Sequence, residues 1–133
     1  MGEREPHPDA MRNANQAHIP EAKIRDYALK DPGKKRPFKA LGFGLAARNW
    51  EALYDAILEE LPHHPAVFNK RNVWGTYFEV VVPVRGPNGK KAPVRTFWIY
   101  GVDEDVPRLV TLYIDTDEWD RWERERGEGT ETV

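Results

Sequence analysis

Cysteine is absent from this 133-residue chain, and so is serine. The first absence removes disulfides, thiolate zinc sites, iron–sulfur clusters and thiol nucleophiles together. The second excludes serine hydrolases, β-lactamases and nucleophile-elbow enzymes. Threonine, histidine, carboxylates, tyrosine, lysine and arginine remain as the reactive groups. No apolar run reaches the roughly 18 residues that span a bilayer, and the start lacks the apolar stretch of a signal peptide. A soluble, cytoplasmic protein with no membrane partner is therefore expected. Positive charge is not in excess: 20 Lys and Arg stand against 22 Asp and Glu, a net charge of −2. That argues against a basic coat for nucleic acid and leaves room for a local patch. Glutamine occurs once, proline 11 times, and 32% of residues are charged. Such a composition leans toward thermophile proteins.

What is present begins with strands. From Thr76 to Ile114 three apolar runs, rich in β-branched and aromatic residues, are separated by turn-forming stretches. They read as an antiparallel meander. Asn88-Gly89 suits a two-residue type I′ hairpin, because both central residues of that turn take positive φ. Pro87 then faces Lys90, which sets every pair along the two strands. One face carries Phe78, Val80, Val82 and Val84 with Pro93, Arg95, Phe97 and Ile99, joined by Val110, Leu112 and Ile114. The other carries Tyr77, Glu79, Val81 and Arg85 with Val94, Thr96, Trp98 and Tyr100, joined by Leu109, Thr111 and Tyr113. A slip of one residue would exchange these assignments.

Upstream, residues 1–18 show no apolar period and are expected to form a flexible arm. A single domain should occupy residues 19–126, with a frayed tail over 127–133. Pro20 opens a helix through Ile24, Tyr27 and Ala28, which Asp31-Pro32-Gly33 ends. Pro37 with Gly42 or Gly44 marks an ambiguous helical turn. Asn49 is placed to cap the clearest helix, in which Trp50, Leu53, Tyr54, Ile57, Leu58 and Leu61 form one stripe before Pro62. A short strand is expected over Ala66 to Asn69. Asp115 and Glu118 form a capping box ahead of a short C-terminal helix carrying Trp119 and Trp122. The fold class expected is α+β, with two main helices packed on one face of a three- or four-stranded antiparallel sheet.

Three groups of residues are candidates for chemistry. On the mixed sheet face Glu79 is placed as a base, Thr96 and Thr111 as positioning hydroxyls, and Tyr77, Trp98 and Tyr113 as stacking surfaces. Ordinary cross-strand pairing beneath the C-terminal helix is the alternative. Lys34, Lys35, Arg36 and Lys39 form the densest positive run, either a phosphate-facing patch or a solvated loop. His63 and His64 offer acid–base chemistry near neutral pH. No third ligand stands at a useful spacing, so no metal site is expected, and no motif calls for a cofactor. Arg95 and Arg108 are read as core-side arginines that cover apolar surface or pair with an acid such as Glu51, Asp55 or Glu59.

The segments IPEAKIRDYAL, FKALGF, NWEALYDAIL, WGTYFEVVVPVRGPNGK, VRTFWIY and VPRLVTLY resemble a family of small uncharacterised bacterial domains associated with toxin-like and phage proteins. The resemblance covers roughly Ile19 to Ile114. That arrangement is in turn similar to the barnase–EndoU–colicin–RelE type of nuclease fold. The resemblance implies metal-independent cleavage of RNA, with Lys34, Lys35 or Arg36 steadying the phosphate. Glu79, Thr96 and Thr111 would be the groups on the sheet face, and His63 or His64 an acid–base group. It implies RNA and a cognate small protein as partners. Two competing readings stand beside it. One is a non-catalytic module that binds protein or nucleic acid, and the other an immunity- or antitoxin-type partner that the acidic C-terminal segment would suit.

Overall fold

The computed structural model describes residues 4–28, Phe38, Leu41, Phe43 and 50–131. Its frame is a four-stranded antiparallel sheet in sequence order: β1 (Val67–Asn72), β2 (Gly75–Arg85), β3 (Lys91–Gly101) and β4 (Arg108–Ile114). Helix α1 spans Trp50–Glu60 and helix α2 spans Thr116–Glu131. A π-helical segment covers Lys23–Ala28, and single 3₁₀ turns form at Ala14–Gln16 and Leu61–His63. The chain is thus of the α+β class.

The β2–β3 hairpin corrects the expected register. Its pairs run Thr76↔Tyr100, Phe78↔Trp98, Val80↔Thr96 and Arg85↔Lys91, one residue away from the arrangement in which Pro87 faces Lys90. The reason lies in Pro87. Flanking a two-residue turn, it would owe the ladder an N–H that proline does not have. Instead Gly86 closes the ladder, donating its N–H to the Lys90 carbonyl at 2.8 Å. Pro87 takes the second position of a type I turn, where its fixed φ is favoured, and the Gly89 N–H returns to the Gly86 carbonyl at 2.9 Å. Gly89 sits at φ 87°, the left-handed position that ends a three-residue hairpin loop. Gly86 is needed for a different reason: a Cβ there would run into the Leu41 carbonyl.

The slip exchanges the two faces of β3. Val94, Thr96, Trp98 and Tyr100 turn inward and are buried with Val80, Val82 and Val84. Arg95 and Phe97 turn outward beside Val81 and Glu79. In β4 a bulge shifts the pairing between Phe97↔Thr111 and Trp98↔Leu109. It lets Leu109 join Leu112 and Ile114 in the core, leaving Val110 only partly covered. Leu109, expected outside, is therefore a core residue.

Helix α1 contributes Leu53 and Ile57 to that core, and Leu61 follows from the next turn. Trp50, Tyr54 and Leu58 pack at its margin, as the stripe requires. Asn49, Asp31-Pro32-Gly33 and the ambiguous turn lie outside the described residues, apart from Phe38, Leu41 and Phe43, which are buried. β1 is longer than expected and meets β2 through a two-residue turn at Val73-Trp74, where the Trp74 N–H reaches Asn72 Oδ1 at 2.9 Å.

The N-terminal stretch departs most from expectation. Met11, Ala14, Ala17 and Ile19 are buried. The His18 N–H donates to the Pro107 carbonyl, and the Leu109 N–H to the His18 carbonyl, both at 2.9 Å. His18 thereby pairs with Arg108 at the first residue of the β4 edge. Small residues three apart carry too little hydrophobicity to register as an amphipathic pattern, yet each fits where a larger side chain would not. At the other terminus only half of the capping box forms: the Glu118 N–H donates to Asp115 Oδ1 at 3.1 Å, while the Asp115 N–H goes to the Pro93 carbonyl and the Glu118 carboxylate to Trp122 and Arg121. α2 then continues past Gly127 to Glu131.

Candidate functional site

The face of the sheet opposite Val80, Val82 and Val84 carries most of its partly exposed side chains. Register sets its rows: Tyr77 beside Ile99, then Val67, Glu79, Phe97 and Thr111, then Val81, Arg95 and Tyr113. Tyr77, Glu79, Val81, Arg95, Phe97 and Thr111 are half-buried and Tyr113 is exposed. Trp119 of α2 packs at the margin of the core.

Arg95 stands at the centre. One guanidinium nitrogen lies 2.8 Å from Glu79 Oε1, and another lies 2.8 Å from Asp115 Oδ2. The far oxygen of Glu79 accepts from Asn69 Nδ2 at 3.3 Å. The Asp115 hydrogen bond raises the Arg95 pKa further. In turn Arg95, helped by the Glu118 backbone N–H, holds the Asp115 carboxyl below its ordinary range. Asp115 therefore both caps α2 and fixes Arg95. Around this group Phe97 and Tyr113 stack at 5.9 Å with 27° between rings. Lys70 of β1 lies 4.9 Å over the Tyr77 ring.

Four of the residues singled out from sequence share this face: Glu79, Thr111, Tyr77 and Tyr113. Thr96 and Trp98 do not. Both are fully buried on the inner face. Thr96 Oγ1 donates to the Val80 carbonyl at 2.7 Å and accepts from Trp98 Nε1 at 2.7 Å, an arrangement that satisfies two polar groups inside an apolar core. The histidines are placed elsewhere. His63 Nδ1 meets the Glu5 carbonyl at 2.8 Å, and His64 Nε2 meets Glu60 Oε1 at 2.9 Å. The Arg4 guanidinium, with His64 beside it, holds the Glu60 carboxyl down to about 2. His64 lines a depression shared with Pro83, which is about 13 Å along β2 from Glu79. Lys34, Lys35, Arg36 and Lys39 lie outside the described residues.

Arg95 is the central residue that the sequence reading assigned to the wrong face. Its pairing with Glu51, Asp55 or Glu59 is replaced by Glu79 and Asp115. Arg108 pairs with Glu104 at 3.8 Å. The turn chemistry of Gly86-Pro87-Asn88-Gly89 was the signal that could have placed Arg95.

A second concavity went unanticipated. A cleft of about 550 Å³ opens at the far end of the sheet, between residues 9–12 and the β1–β2 turn. Its floor is Phe78 and Tyr100, edge to face at 5.7 Å. The Tyr100 hydroxyl donates to the Arg12 carbonyl at 2.6 Å, and burial raises its pKa. Among the described residues no group of His, Asp and Glu could hold a metal ion. No helix among them is long and apolar enough to cross a membrane.

Fold and face together define a small α+β domain, built on a four-stranded antiparallel meander with an aromatic, charge-centred outer surface. The chain belongs to the family described as domain of unknown function DUF6883, whose model matches residues 10–116. That match includes the buried N-terminal stretch from Met11 to Ile19. No curated protein and no solved structure matches the chain.

Proposed function

We propose that this domain acts on RNA through the outer face of its sheet, with the helices that precede β1 occupying the inner face. The observation that carries the reading is the Glu79–Arg95 pair at 2.8 Å, about a quarter exposed on each side, with Phe97, Tyr113 and Tyr77 around it. A carboxylate and a guanidinium side by side are what metal-free cleavage of a phosphodiester needs at its centre. Glu79 would take the proton of a ribose 2′-hydroxyl, whose oxygen then attacks the adjacent phosphorus. Arg95 would hold the non-bridging oxygens as their charge grows. The 5′-oxygen leaves with a proton from water, because β1 to β4 contain no histidine. The aromatic rings suit stacking of unpaired bases. Thr111 shares the Glu79 row two strands away, about 10 Å, a distance that suits contact with a neighbouring nucleotide.

A specific observation favours binding without cleavage as the second reading: Asp115 competes for the same guanidinium. Incubation of the full chain with total RNA in chelator separates the two. The expected result is fragments ending in 2′,3′-cyclic phosphate, lost in Glu79→Gln and Arg95→Lys variants whose melting changes little. Intact RNA that is nonetheless retained, and released by Tyr113→Ala, would establish the binding reading. Intact RNA with no retention would sink both.

A further inference from the structure

The cleft at the far end of the sheet, about 550 Å³, has the size of a small-molecule site. It lies on the inner side of the strands, away from the Glu79–Arg95 group. Arg71, Thr76 and Tyr100 form one register row there, from β1 across β2 to β3, and Phe78 extends the aromatic floor. Beyond that row Gly75 pairs with Gly101. A Cβ on Gly101 would meet the Glu104 carboxylate at 2.6 Å, so glycine is what lets this acid lie over the strand end.

Five charged side chains line the cleft: Asp9, Asp103 and Glu104 against Arg12 and Arg71. Two of them are engaged. Arg12 reaches Asp105 at 3.4 Å and lies 4.9 Å over the Tyr100 ring, and Glu104 pairs with Arg108 at 3.8 Å. Among the described residues Arg71, Asp9 and Asp103 form no ion pair. Arg71 donates to Thr76 Oγ1 at 3.3 Å. It stands on the β1 wall, whereas Asp103 and Glu104 follow β3, about 10 Å away across two strand spacings. This separation of charge selects among ligands. A phosphate ester would answer Arg71 and meet three carboxylates. A polyamine would answer the acids and leave Arg71 facing a like charge. The acids form no group able to hold a metal ion. A molecule with a carboxylate at one end, a cation at the other and methylenes between satisfies both walls and covers the rings.

We propose that the cleft binds a free amino acid with a cationic side chain, of the length of lysine. Arg71 holds the α-carboxylate by charge-assisted hydrogen bonds. The side-chain cation meets Asp103 and Glu104, and the methylenes rest on Phe78 and Tyr100. Acids outnumber arginines in the lining by three to two, which matches a ligand with two ammonium groups and one carboxylate. This site does not depend on the reading of the outer face.

The test is calorimetric titration of the full chain with lysine and with compounds that each lack one of its features. Norleucine lacks the side-chain cation, cadaverine lacks the carboxylate, and glutamate reverses the charge of the side chain. Lysine should bind tightest, with norleucine and cadaverine each about tenfold weaker or more, as for loss of one hydrogen bond to a charged group. Glutamate should not bind. Arg71→Gln should weaken lysine about tenfold and leave cadaverine no weaker. Asp103→Asn should weaken lysine and cadaverine and spare norleucine. Both positions are exposed, so melting should not move, and Arg95→Lys on the opposite face should leave lysine binding unchanged. No binding of lysine, glutamate or cadaverine binding as tightly as lysine, or lysine affinity indifferent to Arg71→Gln and Asp103→Asn would overturn the proposal.

Discussion

The two faces of this sheet carry similar residues to opposite ends. On the inner face Thr96 is fully buried and Trp98 beside it is sealed from solvent. On the outer face Thr111 and the Phe97–Tyr113 stack stay within reach of water. One threonine spends its hydroxyl on two internal hydrogen bonds in the core and the other is half-buried on the opposite face. Charge divides in the same way. Thr96 is the only polar side chain buried among the described residues, whereas the outer face is organised around the Glu79–Arg95–Asp115 group. A side chain's type therefore says little about its role here until its face is known, and the face was decided by one turn.

Four measurements would break or sharpen that contrast, starting with the largest effect. Trp98→Ala should cost about 3–5 kcal/mol, the range for removing a large aromatic from a packed core. A loss as small as that of Tyr113→Ala, read from denaturant midpoints, would put Trp98 on the wrong face. Thr96→Val should cost about 1–3 kcal/mol, because it keeps the volume and strands the Trp98 N–H without its acceptor. Trp98→Phe on that background should recover part of the loss, since the stranded donor is gone.

Acid should expose the outer face selectively. The folded Asp115 carboxyl titrates below its ordinary value of 3.8. Its contribution to stability is therefore fully present above that value and is lost as pH falls through the lower folded pKa. Urea midpoints should decline for the native chain below about pH 4. Asp115→Asn should be less stable at neutral pH and should flatten that decline, whereas Thr96→Val should leave its slope unchanged. An identical slope in Asp115→Asn would remove Asp115 from the account. The smallest effect is expected at Thr111→Val, about 0.5–1 kcal/mol, the range for losing a hydroxyl from a side chain that is only half-buried. Equality with Thr96→Val would erase the contrast between the faces.

Much of this arrangement was legible in the sequence. The stripe from Trp50 to Leu61 located α1 and its buried side, and alternation in β2 sent Val80, Val82 and Val84 inward. Asp115 with Glu118 marked the start of α2. Glu79, Tyr77, Thr111 and Tyr113 were placed together on one face, where the structure also has them. Thr96 and Trp98 were placed with them, and Arg95 was not, all from one misread loop. In a strand of period two, an error of one residue is the largest possible error of face. Pro87, which lacks the donor a ladder position needs, held the information. Met11, Ala14 and Ala17 were hidden for another reason: their burial depends on the cavity they fill, which no local pattern encodes.

By itself the sequence determined the classes of chemistry available, since no sulfur or serine nucleophile exists in it, and it determined which segments become strand or helix through local period and turn propensity. Tertiary structure decided which side of β3 faces the core, where the N-terminal stretch meets β4, and which carboxylates meet Arg95. These are outcomes of pairing between residues far apart in the chain. Their energies depend on register and on shared space, and neither is a property of any short stretch alone.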